Sequence, residues 1–130
     1  MRTGDGKRLK QGFTIIELMV VMAILGLLVS LVAPRYFRHV DKARESVLKQ
    51  NLYVTRDAID KYHSDTGRYP ESLQVLVEAR YIRQLPEDPI TGRADSWVIV
   101  PPKEGGKGAV FDIRSSAAGK GLDGKDYASW

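Results

Sequence analysis

The sequence contains no cysteine and only two histidines among its 130 residues. Without cysteine the chain can form neither a disulfide framework nor a thiolate metal site, and it has no thiol nucleophile. Two histidines also argue against a zinc centre built from several imidazoles. The sequence shows no nucleophile elbow, phosphate-binding loop or HExxH motif. We therefore expect a protein that is not an enzyme.

The excess of basic residues is concentrated at the N-terminus. Lys and Arg total 20 against 16 Asp and Glu. Residues 1–12 hold four basic side chains and one acidic side chain, so the rest of the chain carries 16 basic and 15 acidic side chains. A body with a net charge of +1 does not attract a phosphate backbone strongly. We expect no nucleic-acid partner.

The longest apolar run is FTIIELMVVMAILGLLVSLVA, residues 13–33, in which Glu17 is the only charged side chain. About 20 apolar residues are enough for a helix to cross roughly 30 Å of hydrocarbon. The preceding basic residues predict a cytoplasmic N-terminus and an external C-terminal part. A secretory signal peptide is the competing interpretation, but its apolar region spans about 7–15 residues and ends in a small-x-small site. The longer run, with Leu31 two residues before Ala33, favours a retained anchor.

Glu17 is costly in a membrane span, by roughly 2.5–3.5 kcal/mol on insertion scales. The span itself contains no Lys, Arg or His that could neutralise the carboxylate. Either Glu17 reaches water at the cytoplasmic interface, being four residues into the run, or its partner is a new positive charge. That charge would come from processing of the chain or from another subunit.

The segment Gly12-Phe13-Thr14-Ile15-Ile16-Glu17, between a basic leader and an apolar helix, resembles the signature of type IV pilins and type II secretion pseudopilins. The resemblance implies cleavage between Gly12 and Phe13 by a prepilin peptidase on the cytoplasmic face. It also implies N-methylation of the new Phe13 amine. Glu17 would then pair with that amine within a chain or between neighbouring subunits, which gives the carboxylate a role in assembly.

Three regions follow from this interpretation. Residues 1–12 are a leader peptide that is cleaved, residues 13–34 form a transmembrane and assembly helix, and residues 35–130 form a periplasmic pilin-like domain. Pro34 predicts a kink at or before its position, because proline removes a helical hydrogen bond and clashes with the preceding turn. The resemblance implies that the stretch ending at Pro34 loosens on assembly.

Helical periodicity resumes after Pro34 and ends near Gly67, which suits a left-handed C′ position. The predicted apolar face comprises Val40, Ala43, Val47, Leu48, Leu52, Val54, Ala58, Ile59 and Tyr62. We interpret the charged residues between them as a solvated face. These are Asp41, Arg44, Glu45, Lys49, Arg56, Asp60 and Lys61.

The rest of the chain predicts an α+β fold, and the resemblance implies that it is of the type IV pilin class: a long N-terminal helix, transmembrane in its first half, packed against a short helix and a small antiparallel sheet. We expect the short helix at 70–79 and a hairpin of strands at 97–100 and 109–114. Tyr127 and Trp130 are predicted to anchor the tail onto the sheet.

The Tyr69-Pro70 step and the Leu85-Pro86-Glu87-Asp88-Pro89 loop make the chain similar to the major pseudopilin, or G subunit, of type II secretion. The resemblance implies a structural subunit of a periplasmic filament that promotes protein export across the outer membrane. It implies as partners further copies of the chain, minor pseudopilins, an inner-membrane assembly platform and the prepilin peptidase. The expected location is the bacterial inner membrane, single-pass. The alternatives are a type IV pilus pilin, including one for DNA uptake, and a monomeric membrane-anchored binding domain.

The tail contains one candidate metal site, at Leu122-Asp123-Gly124-Lys125-Asp126. Oxygen ligands in a flexible loop suit calcium, and the resemblance implies calcium binding here by Asp123 and Asp126. Backbone carbonyls of residues 115–118 could complete the coordination shell. Two acids are few, however, and Lys125 lies between them. The alternative is an ordinary Asp-Gly turn capped by its own side chain.

Overall fold

The computed structural model describes residues 12–130. In chain order its elements are α1 (Ile15–Thr66), α2 (Leu73–Glu78), β1 (Val98–Val100), β2 (Asp112–Arg114) and a 3-10 turn (Tyr127–Ser129). A long helix, a short helix and a two-stranded antiparallel sheet confirm the predicted α+β class. The chain divides into two compact units, one ending at Arg38 and the other comprising His39–Trp130.

Helix α1 is continuous through Pro34, which lies inside it. It ends where the sequence predicted, because Gly67 has φ 77° and donates its N–H to the carbonyl of His63 at 2.8 Å. A left-handed residue at this position stops a helix, and glycine adopts it without a steric penalty. The kink expected at Pro34 stays a prediction.

In the first unit, α1 has almost no protein around it. From Gly12 to Arg38 no described side chain is buried, and Phe13, Ile15 and Ile16 are each more than 70% exposed. The most apolar window of α1 has a mean hydropathy of 2.8 and is long enough to cross a membrane. So large an apolar surface needs a lipid phase or other protein to cover it. Membrane anchoring by this helix is therefore what its length and composition favour.

The core of the second unit forms between α1, α2 and the sheet. Its buried members are Leu48, Leu52, Ala58, Ile59, Leu73, Leu76, Trp97, Val110 and Ile113. Four of the nine come from α1, so the part of the chain after the helix folds against it, as expected for so small a core.

The buried face of α1 differs from the predicted one. Val47 and Val54 are 48% and 41% exposed. Glu45 and Thr55 instead continue the row of Leu48, Leu52 and Ile59, and they are 7% and 0% exposed. Both polar side chains have hydrogen-bond partners, which removes most of the cost of burying them.

The sheet is the predicted hairpin, with Ile99 opposite Ile113, but its strands are shorter than expected. The reason lies at Pro70, whose carbonyl accepts hydrogen bonds from the N–H groups of Ala109 and Val110 at 3.2 and 2.9 Å. This contact takes the N–H groups of residues 109 and 110 away from the sheet and holds Pro70 outside α2, while the N–H of Phe111 still donates to the carbonyl of Val100 at 2.9 Å.

Asp88 organises the proline-flanked loop before β1. It is fully buried, and its Oδ1 accepts a hydrogen bond from the N–H of Ile90 at 2.8 Å. Its other carboxylate oxygen accepts the hydroxyl proton of Ser115, which is also fully buried. A satisfied buried carboxylate of this kind ties the loop to the segment that follows β2.

Gly108 lies where two backbone segments come closest. A Cβ atom at this position would stand 2.0 Å from the carbonyl oxygen of Tyr69, and φ is 100°. The N–H of Tyr69 also donates to the carbonyl of Lys107 at 2.9 Å, so neither segment is free to move away. Only glycine fits this approach.

We predict that Gly108→Ala lowers the free energy of unfolding by about 2–4 kcal/mol, from the positive φ together with the steric overlap. Gly105→Ala is the matched control, because Gly105 has φ 88° but nothing within 4 Å of its Cβ position. It should cost only about 1–2 kcal/mol. Urea unfolding of the detergent-solubilised chain, followed by tryptophan fluorescence, measures both. Equal losses of unfolding free energy in the two variants would contradict the role given to the short distance between Gly108 and Tyr69.

Candidate functional site

The predicted cleavage position lies just outside α1. Gly12 is exposed, with nothing within 4 Å of its Cβ position, and Phe13 is 84% exposed. Exposed, non-helical backbone is where proteolytic cleavage occurs most readily. The Gly12–Phe13 bond is therefore accessible. The rest of the predicted leader, residues 1–11, lies outside the described residues.

Thr14 and Glu17 form a capping box at the start of α1. The N–H of Glu17 donates to Thr14 Oγ1 at 3.1 Å, and the N–H of Thr14 donates to Glu17 Oε2 at 3.4 Å. This reciprocal pair satisfies two backbone donors that a helix N-terminus leaves free. The Thr-x-x-Glu spacing is a local sequence signal for this cap, and interpreting Glu17 only by its charge misses it.

The carboxylate of Glu17 therefore has a position as well as a charge. It is exposed in the first turn of α1, where the helix dipole favours a negative group. Its bond to the N–H of Thr14 is long, so the carboxylate can still accept a shorter, charge-assisted bond from an ammonium group. No Lys, Arg or His occurs between Gly12 and Pro34 to supply one.

The two predicted calcium ligands lie in the C-terminal loop, and both are exposed. Asp123 Oδ1 accepts a hydrogen bond from the N–H of Lys125 at 3.0 Å, and Gly124 between them has φ 81°. This is the self-capped Asp-Gly turn that the sequence offered as the alternative. Asp126 precedes the 3-10 turn, and its backbone carbonyl accepts bonds from Ser129.

Among the residues that the structure describes, Asp123 and Asp126 do not belong to a larger cluster of acidic side chains. Within residues 12–130, no group of three or more His, Asp or Glu side chains is placed to hold a metal ion. Calcium takes six to eight oxygen ligands, and here one oxygen of Asp123 already serves its own turn. Calcium binding stays a prediction that the described side chains do not support.

Glu45 lies beneath the loop instead. Its Oε1 accepts hydrogen bonds from the N–H of Leu122 at 2.7 Å and from the hydroxyl of Tyr127 at 3.0 Å. The sequence placed Glu45 on the solvated face of α1, which is wrong. The loop folds over this part of the helix, and its two donors replace the water that a carboxylate would otherwise bind.

Arg56, like Glu45, was predicted to face solvent on α1. It instead binds segments that are distant in sequence. Its Nε donates to Asp112 Oδ1 at 2.8 Å, and its Nη2 donates to the carbonyl oxygens of Ile113 and Trp130. A guanidinium has several donors in one plane, so a single side chain can join β2 to the tail. Periodicity along α1 gave no indication of this role.

The two aromatic residues that were predicted to anchor the tail onto the sheet pack against the core, and their polar partners lie on α1. The rings of Tyr127 and Trp130 meet edge to face with centroids 5.1 Å apart, and both pack against the core. Lys49 Nζ lies 4.8 Å from the centroid of the Trp130 ring, within range of a cation–π contact. The tail is therefore held by apolar and polar contacts to the same helix.

This environment changes the acidity of Tyr127. Burial and the hydrogen bond to Glu45 together raise the pKa of the phenol from 10.0 to about 12. The neutral phenol is thus favoured in the folded chain, because ionisation would place a second negative charge beside Glu45.

We predict that folding stability falls between pH 10 and about 12 through this group. Its pKa is higher in the folded chain, so its contribution is complete below pH 10 and is lost as the pH rises through the folded value. Unfolding midpoints of the wild type and Tyr127→Phe across this range measure the effect, and the variant should show a shallower decline. Tyr53→Phe, at a tyrosine that is 68% exposed, is the control and should follow the wild type. Parallel curves for all three proteins would contradict the prediction.

Comparison with known proteins agrees with these observations. The family described as the prokaryotic N-terminal methylation motif matches residues 7–33. The chain is 35% identical to the type II secretion system core protein G of Klebsiella michiganensis, over 90% of this chain and 89% of that protein. It is 32% identical to the protein of the same name from Escherichia coli K12, over 100% of this chain and 95% of that protein.

A third relative, the type II secretion system core protein G of Vibrio cholerae serotype O1, is 30% identical over 95% of this chain and 93% of its own length. No solved structure matches the chain significantly. Two findings lead to one assignment. A capped apolar helix follows an accessible Gly-Phe bond, and the chain is similar to these relatives over nearly their full length. The chain belongs to the type II secretion system core protein G family, the major pseudopilins, and has a structural role in secretion.

Proposed function

We propose that this chain is processed at Gly12–Phe13 and polymerises into a periplasmic filament that promotes protein export across the outer membrane. The observation that carries the proposal is the arrangement at the start of α1. A lone carboxylate, Glu17, is held in the first turn of an exposed apolar helix, four residues after Phe13 and its accessible peptide bond. No catalytic role is part of the proposal.

Processing and helix capping are compatible at this site. A prepilin peptidase would cleave before Phe13 on the cytoplasmic face and methylate the new amine. Thr14 remains in the mature chain, so the capping box and the start of α1 are preserved. The mature N-terminus then carries an ammonium group two residues before the first helical residue, within reach of a carboxylate in the first turn.

Assembly follows from the energetics of that pair. An unpaired carboxylate costs roughly 2.5–3.5 kcal/mol in a membrane span, and pairing with the Phe13 amine of the same or a neighbouring chain removes much of this cost. The apolar surface of α1 that its own chain leaves uncovered would pack against other copies of the helix. Each subunit thereby favours insertion beside another.

The proposed topology is single-pass in the bacterial inner membrane. The basic leader stays in the cytoplasm, and the second unit lies in the periplasm. Besides further copies of itself, the chain would contact minor pseudopilins, the inner-membrane assembly platform and the prepilin peptidase.

The first prediction concerns processing. The intact mass and N-terminal sequence of the protein, purified from membranes of its own host, should show a chain that begins at N-methylated Phe13. Deletion of the prepilin peptidase is the control and should restore the chain that begins at Met1. A chain that begins at Met1 while the peptidase is active would instead favour a monomeric membrane-anchored binding domain.

The second prediction separates the charge of Glu17 from its capping role. Glutamine is also accepted at this position of a capping box, so Glu17→Gln keeps the cap and removes the charge. We expect insertion and cleavage to persist and subunit association to weaken about tenfold to a hundredfold, the usual value of a charge-assisted hydrogen bond. Filament yield after shearing or crosslinking measures this.

Thr14→Ala is the matched control, because it removes the other half of the box and leaves the charge. It should destabilise the first turn by about 1 kcal/mol and preserve assembly. Normal filament yield in Glu17→Gln, with loss in Thr14→Ala, would assign Glu17 to helix capping alone.

A further inference from the structure

We infer that the C-terminal loop is ordered by two side chains of α1, Glu45 and Arg56, and not by a calcium ion. The resemblance of the sequence to the major pseudopilins implied a metal in this loop, and the residues around it do not form a suitable ligand set. The structure offers a different means of holding the same segment, independent of how the N-terminus is processed.

The loop first closes on itself through backbone hydrogen bonds. The N–H of Gly121 donates to the carbonyl of Lys125 at 2.8 Å, and the N–H of Gly124 donates to the carbonyl of Gly121 at 3.0 Å. The N–H of Tyr127 donates to the carbonyl of Gly119 at 3.2 Å and closes the base of the loop. These bonds fix the shape of the loop without a ligand, and each takes up one of the two lone pairs of a carbonyl oxygen.

The groups that the loop turns toward α1 are donors. The N–H of Leu122 and the hydroxyl of Tyr127 both point at one oxygen of Glu45, at 2.7 and 3.0 Å. A calcium site presents oxygen lone pairs toward its centre. Here hydrogen atoms converge on an anion, so the polarity of the contact is the reverse of that in a cation site.

The contact is also tightly packed. A Cβ atom on Gly121, which is buried, would stand 2.4 Å from the Trp130 ring and 3.1 Å from Glu45 Oε1. The same position is 3.0 Å from Asp123 Oδ1. At this position the loop backbone therefore lies directly against the Trp130 ring and Glu45, and only glycine fits there.

Positive charge at the other end of the tail is supplied by arginine. Arg56 donates to the carbonyl oxygens of Ile113 and Trp130, and Arg114 Nη1 lies 3.3 Å from the carbonyl of Ser129, to which it donates. Residues 119–130 themselves carry two lysines and two aspartates. A segment without net negative charge does not attract a divalent cation strongly, and fixed side chains can hold it instead.

The test is thermal unfolding of the detergent-solubilised full chain, measured once with about 10 mM calcium and once with excess chelator. This calcium concentration is above the dissociation constant of weak extracellular sites. We expect unfolding temperatures in the two conditions to agree within about 1 °C. A bound ion would raise the midpoint by more than about 5 °C. Such a rise overturns the inference, and its loss in an Asp123→Asn, Asp126→Asn double variant would assign the ion to the loop.

Variants test the side chains themselves. Glu45→Gln keeps one acceptor oxygen but removes the charge, and we expect it to lower the midpoint by about 5–10 °C in both conditions. Asp41→Asn is the matched control, because it removes the same charge from an exposed position one turn earlier on α1. It should shift the midpoint by less than about 2 °C. Tyr127→Phe, which removes a single donor, should lower the midpoint by an amount between those for Glu45→Gln and Asp41→Asn. Equal effects of Glu45→Gln and Asp41→Asn would overturn the inference.

Discussion

Helix α1 has to satisfy two different environments along one continuous run of hydrogen bonds. In the first unit its apolar side chains have no protein of their own chain to cover them, since Ile15, Ile16 and their neighbours are mostly exposed. In the second unit the same helix supplies four of the nine buried core residues. The hydrophobic effect therefore acts within the chain on one part of α1, and between the chain and its surroundings on the other.

The second unit is small, and its core depends on polar contacts as much as on apolar ones. A domain of this size buries too little apolar surface for a wide margin of stability. Asp88, Glu45 and Arg56 each join segments that are distant in sequence, and each side chain makes at least two hydrogen bonds. Such contacts fix one arrangement of loops that few apolar residues could hold, because an unpaired alternative would leave a charge without partners.

What the sequence predicted correctly was encoded locally. The end of α1 at Gly67 and the two strands of the hairpin each depend on a few adjacent residues. The capping box at Thr14 is equally local, although the charge of Glu17 alone does not reveal it. Glu45 and Arg56 could not be found in this way, because their partners lie 77 and 56 or more positions away. Helical periodicity treats a charged side chain as solvent-facing unless a distant partner is known, and one sequence does not reveal such a partner.

The two units thus differ in where their apolar and charged groups find partners. Our inference for the C-terminal loop means that the second unit reaches its ordered state with side chains it already carries, Glu45 and Arg56, whatever the surrounding ion concentration. The first unit cannot do so, since neither the apolar surface of α1 nor the charge of Glu17 has a sufficient partner among residues 12–38. Control over assembly would then lie at the start of α1. The proposed cleavage there would supply the charge that Glu17 lacks, whereas Glu45 and Arg56 of the second unit already have partners within the chain.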